Sequence, residues 1–120
     1  MSRQRTRIGR ALAVVAAFAL VLALASPSQA APVRIRGNNQ RWHPHRVDIT
    51  TGTRVVWRAV DTTHTVTSYS RNWSKNTTID AGQRTSFTFN NTGTFKFRCT
   101  IHSTLSNGVC SGMCGKVVVT

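Results

Sequence analysis

The chain has 120 residues, with 16 Lys+Arg against 3 acidic residues and a net charge of +13. It contains no glutamate, and Asp48, Asp61 and Asp80 stand far apart, so the sequence offers no carboxylate pair for acid–base catalysis and no Ser-His-Asp set. Such a positive excess suits an acidic partner or an anionic surface.

The chain opens with MSRQRTRIGR, continues with the uncharged run Ala11 to Ala25, and reaches small residues at SPSQAA. That is the three-part pattern of a secretory signal peptide, with cleavage expected after Ala30. The apolar run is shorter than the roughly 20 residues that cross a bilayer, and it has neither an arginine pair nor a cysteine for lipid attachment. The expectation is a signal peptide over 1–30 and an extracytoplasmic domain over 31–120, without stable membrane insertion. Four of the basic residues lie in the leader, which leaves 12 against three aspartates and a net charge of +9. A domain of this length buries roughly 60–65% of its unfolded surface.

Beyond the leader the pattern is strand after strand. Apolar residues alternate at Val47 and Ile49, at Val55, Trp57 and Ala59, at Phe87 and Phe89, at Phe95 and Phe97, and at Val117 and Val119. Turn-rich stretches at 51–53, 80–83 and 90–93 separate them, and no apolar stripe at helical spacing runs longer than a turn or two. This predicts a compact all-β antiparallel sandwich packed around Trp42, Trp57 and the phenylalanines, with 68–79 as a long loop anchored by Trp73. The arginines are dispersed along the sequence, which argues against nucleic acid as the partner.

The chemistry concentrates in CTIHSTLSNGVCSGMCG, residues 99–115, which holds all three cysteines, one histidine and a methionine. Phe95, Phe97 and Cys99 share one strand face, so the thiol is expected in the core at the strand's inner end. His102 is expected where the chain has left the strand, and Met113 just before the last one. Three readings compete. Cys99, His102, Cys110 and Cys114 could form a structural zinc site, although exported cysteines tend to oxidise. A disulfide framework alone leaves one cysteine over. Copper takes Cys99 and His102 together with His64 and Met113, a soft thiolate, two imidazoles and a weak thioether. Such ligands suit both Cu(I) and Cu(II), and a rigid frame keeps rearrangement between the two states small. His43 and His45 flank a proline without a third ligand and read as solvated.

The residues resemble the cupredoxins, the small blue copper proteins of the plastocyanin and amicyanin type. The resemblance rests on W-x-P at Trp42–Pro44, V-x-I-x-x-G-T-x-V-x-W from Val47 to Trp57, H-T-V from His64, F-x-F-x-C-x-x-H from Phe95 to His102, and M-x-G-x-V-V-V from Met113 to Val119. It implies a Greek-key β-sandwich that carries single electrons between larger redox proteins, with one type 1 copper on His64, Cys99, His102 and, axially, Met113. Many members have Asn after the first histidine, where Thr65 stands here. The stretch from His102 to Met113 is also longer than usual for the family. A disulfide between Cys110 and Cys114 would brace it. The expected protein is a monomeric, non-enzymatic carrier meeting an acidic redox partner near His102. The alternative is an extracytoplasmic protein that scavenges or delivers copper with the same ligands.

Overall fold

The computed structural model describes residues 30–120, together with Ala16, Ala17 and Ala19. Apart from Ala30 and those three alanines, the expected signal peptide over 1–30 lies outside the described residues. Nine strands follow one another: β1 (Val33–Asn38), β2 (Arg41–His43), β3 (Arg46–Ile49), β4 (Thr53–Ala59), β5 (His64–Ser68), β6 (Asn76–Ile79), β7 (Arg84–Phe89), β8 (Gly93–Ser106) and β9 (Val109–Val119). They form two sheets, β2-β1-β4-β7 and β3-β9-β8-β5-β6, and no helix occurs among the described residues. The chain crosses between sheets after β2, β3, β4, β6 and β7, which makes the expected all-β sandwich.

Alternation explains the layers. Val55, Trp57 and Ala59 of β4, Phe95, Phe97 and Cys99 of β8, and Val117 and Val119 of β9 are buried between the sheets. Trp57 sits at the centre, edge-on to Phe97 at 5.3 Å and stacked with Trp73 at 6.2 Å. Trp73 is the anchor its loop needs, its Nε1–H donating to the carbonyl of Lys96 at 3.0 Å.

Several expectations change. The sandwich is not purely antiparallel, because β1 pairs with β4 and β3 with β9 in parallel. The stretch 68–79 is only partly loop, since Asn76–Ile79 adds a strand to the edge of β5. The segment between His102 and Met113 is no loop at all. Strands β8 and β9 continue past the core as a hairpin, paired Ser103↔Gly112 to Ser106↔Val109 around Asn107 and Gly108. Both turn residues have positive φ, 50° and 75°, the two-residue turn that matches strand twist. His102 and Met113 therefore lie inside strands.

Candidate metal centre

Cys99 and His102 are three residues apart, and in a regular strand they would point to opposite faces. The register resolves this. Between the pairs Arg98↔Cys114 and Ser103↔Gly112, four residues of β8, 99–102, face the single residue Met113 of β9. Such an irregularity re-aims side chains. Here it turns Cys99 and His102 to the same side, so that Cys99 Sγ lies 3.5 Å from His102 Nδ1.

His64 arrives from β5, the neighbouring strand in the same sheet. Its Nδ1 is 3.2 Å from His102 Nδ1 and 3.8 Å from Cys99 Sγ. A point equidistant from these three atoms lies about 2 Å from each, the length of a metal–imidazole or slightly less than a metal–thiolate bond. Cys99 and His64 are fully buried and His102 is half-buried. Among the described residues this is the one group of three such ligands close enough to share an ion. A thiolate with two imidazoles in a trigonal array is the donor set of a type 1 copper, and the residues present fit it.

Met113 is also fully buried. Its methyl group and the His64 ring converge over Gly37 of β1: a Cβ added there would lie 3.0 Å from Met113 Cε, 2.9 Å from His64 Cδ2 and 2.9 Å from the Trp42 ring. The close approach of this backbone to the site thus requires glycine.

Neighbouring groups fix the ligands. Asp61, in the turn between β4 and β5, accepts from His64 Nε2 at 2.7 Å through Oδ1, which also accepts from the Thr62 N–H. Its Oδ2 accepts from the Asn39 N–H at 2.9 Å in the β1–β2 turn. The hydrogen bond from His64, more than the backbone N–H donors, holds the Asp61 carboxyl down at about 2. With the proton kept on Nε2, the lone pair of Nδ1 faces Cys99 and His102, as a metal ligand requires.

Thr65 is the second fixing group. Its backbone N–H donates to Cys99 Sγ at 3.3 Å, and its Oγ1 accepts from the Thr100 N–H at 2.8 Å. The β5–β8 ladder stops at Thr67↔Arg98, so Thr65 continues the connection past the point where pairing ends. Thr65 thus joins strands β5 and β8 through its own side chain and backbone. Ser103 Oγ donates to the Cys99 carbonyl and ties the irregular stretch to itself.

Cys110 and Cys114 are joined by a disulfide, with Cα atoms 6.1 Å apart. In an unbent strand that separation would be about 13 Å. The bend falls at Gly112, whose φ of 103° favours glycine and whose added Cβ would collide with the His102 carbonyl. Structural zinc on Cys99, His102, Cys110 and Cys114 is therefore replaced by a division of labour: two cysteines brace the hairpin and Cys99 stays free. His43 and His45 are exposed and join no ligand group among the described residues. With Arg41 and Trp42 they line an open cleft of about 670 Å³ onto which His102 opens.

The chain belongs to the cupredoxins: the cupredoxin-like domain model matches residues 11–110. Among solved structures, a reduced amicyanin carrying a proline-to-phenylalanine substitution is similar at 21% identity, covering 78% of this chain and 95% of that one, with a TM-score of 0.63. The Cu(I) form of a methionine-to-alanine amicyanin gives the same identity, coverage and TM-score. A copper-containing nitrite reductase from Thermus scotoductus SA-01 is similar at 19% identity and a TM-score of 0.64, over 83% of this chain and 25% of that one. No curated protein matches the chain. At these identities the solved structures bear on the fold. No helix among the described residues is long and apolar enough to cross a membrane.

Proposed function

We propose that residues 31–120, released by cleavage after Ala30, form an extracytoplasmic blue copper protein that carries single electrons between redox partners. The observation that supports this most is the ligand triangle of His64, Cys99 and His102, held in place by strands and by hydrogen bonds rather than by a loop. Copper bound there supplies a one-electron couple.

The chain's own groups do the rest. Asp61 keeps the His64 tautomer and ring orientation, and the Thr65 N–H stabilises negative charge on Cys99 sulfur. Because these donors already sit in strands, little needs to move when the charge at the site changes by one. Met113, fully buried with its methyl group beside the His64 ring over Gly37, would add a weak thioether donor, and a copper held by four protein donors would have no position left for a substrate, which favours a carrier over an enzyme. His102, the half-buried ligand, opens onto the cleft with Arg41, and the cationic domain favours an acidic partner there.

The test is addition of Cu(II) to the purified protein. An intense visible thiolate-to-copper band is expected, absent from Cys99→Ser, and the metal should stay bound through repeated reduction and reoxidation in the presence of a chelator. Copper lost to the chelator within a few cycles would favour scavenging or delivery. Absence of the band in the unaltered protein would remove the copper reading itself.

A further inference from the structure

The basic residues are scattered in sequence, but folding gathers half of those in residues 30–120 on one surface. Inward positions of the β2-β1-β4-β7 sheet are apolar, so its outward positions carry Arg41 on β2, Arg34 and Arg36 on β1, Arg54 and Arg58 on β4, and Arg84 on β7. All six are exposed. The register aligns three of them in one row, Arg36 opposite Arg58 and Arg58 opposite Arg84, on strands about 4.8 Å apart.

Like charges directly opposite one another destabilise a sheet, and this row has nothing to offset it. The three aspartates of the whole chain lie elsewhere: Asp48 on β3, Asp61 and Asp80 in the turns after β4 and β6. None of the six guanidinium groups forms an ion pair or a hydrogen bond among the described residues. A surface arranged at this cost is complementary to an array of anions.

The form of the face selects among anionic partners. Val56 is its one outward apolar strand residue, so it lacks the buried apolar or aromatic centre of a protein-docking surface. Its strands present no helix to enter a nucleic-acid groove and no outward Phe, Tyr or Trp on which bases could stack, His43 on β2 being the one outward ring. What it offers is a broad sheet of guanidinium groups, which bind phosphates in bidentate fashion. We propose that the outer face of the β2-β1-β4-β7 sheet is a peripheral docking surface for anionic phospholipid membranes. The ligand-bearing strands β5, β8 and β9 belong to the other sheet. Docking by the Arg36, Arg58 and Arg84 row therefore leaves the second sheet turned away from the lipid, with Arg41 at the edge shared with the His102 cleft. The inference does not depend on copper, and apo-protein should behave alike.

The experiment is co-sedimentation of the protein from Ala31 onward, which holds every strand and the whole described core, with phosphatidylcholine vesicles with and without 30% phosphatidylglycerol. Binding is expected to the anionic vesicles alone and to weaken as salt rises. Each arginine near such a surface contributes about a five-fold factor. The triple variant Arg36→Gln, Arg58→Gln, Arg84→Gln should therefore lose on the order of 100-fold in partitioning, with its melting temperature unchanged or raised. The charge-matched triple Arg71→Gln, Lys96→Gln, Lys116→Gln should lose less than ten-fold. Equal loss in the two triples would overturn the inference, since net charge rather than this face would then be responsible. So would a protein that ignores anionic vesicles but binds duplex DNA or an acidic protein through the same three arginines.

Discussion

His64 and Cys99 are tied by hydrogen bonds to turns and strands on several sides, a buried one at Cys99 and a part-buried one at His64, whereas His102 and Met113 ride on one hairpin whose far end stands in solvent. On the first side Asp61 and Thr65 link three turns and strands to the ligands. On the second, order comes from cross-strand pairing beyond Ser103 and from the Cys110–Cys114 bridge. The difference teaches that a metal cradle can be fixed by polar ties where neighbouring elements surround a ligand and by covalent bracing where a hairpin runs on past the core, since the hydrogen bonds of an exposed tip contribute little net stability.

The largest expected effect crosses both halves. Gly37→Ala drives a methyl group against His64, Trp42 and Met113 at once. It should lower apo-protein stability by about 3 kcal/mol, the upper end for overpacking, as measured by urea unfolding. If stability falls by less than about 1 kcal/mol, the cradle yields more easily than its packing implies.

Asp61→Ala acts on the first half alone. Copper affinity should fall by about 10- to 100-fold in competition with a chelator, while the disulfide side is untouched. Unchanged affinity would mean that His64 is oriented by packing, not by the carboxylate.

The double change Cys110→Ser, Cys114→Ser acts on the second half. The closed ring has five residues, so the loss should be about 2 kcal/mol. In the copper-loaded protein the thiolate band of Cys99 should be retained, since neither cysteine of the bridge belongs to the ligand triangle. Loss of that band would show that the halves are not independent.

The smallest effect is in pH. Asp61 is depressed to about 2 in the folded chain, below its ordinary value, so its contribution is complete above about pH 4 and is lost as pH falls through about 2. Apo-protein should lose stability over that window, and Asp61→Asn should flatten the profile there.

Much of this could be read in the chain. Alternation placed Cys99 beside Phe95 and Phe97 in the core, and three like residues were separable by chemistry because an odd cysteine in an oxidising setting needs its own role. The limits are equally specific. The odd spacing of Cys99 and His102 demands a strand irregularity, yet it gives no sign of whether the chain bulges or ends. Asn107-Gly108 is a hairpin signal in its own right, but a polar segment between two ligands reads first as a loop. Asp61 stands three residues before His64, and only knowledge of the turn brings its carboxylate under the ring. Gly37 is invisible as a site residue, because its importance lies in what its missing side chain leaves free. The arginines mislead most: dispersed along the chain, they become neighbours because strands distant in sequence are adjacent in the sheet.

The extended hairpin bears on how long a metal ion would stay. His102 and Met113, two of the four residues proposed as ligands, lie where the pairing of β8 and β9 is irregular, with regular pairing resumed on both sides of them. An ion leaving in the plane of those strands must wait for the tip to open, and the Cys110–Cys114 bridge keeps the returning strand bent toward its partner even then. Loss of a bound ion by that route would follow the fraying of residues 103–112, alongside the route through the cleft onto which His102 opens.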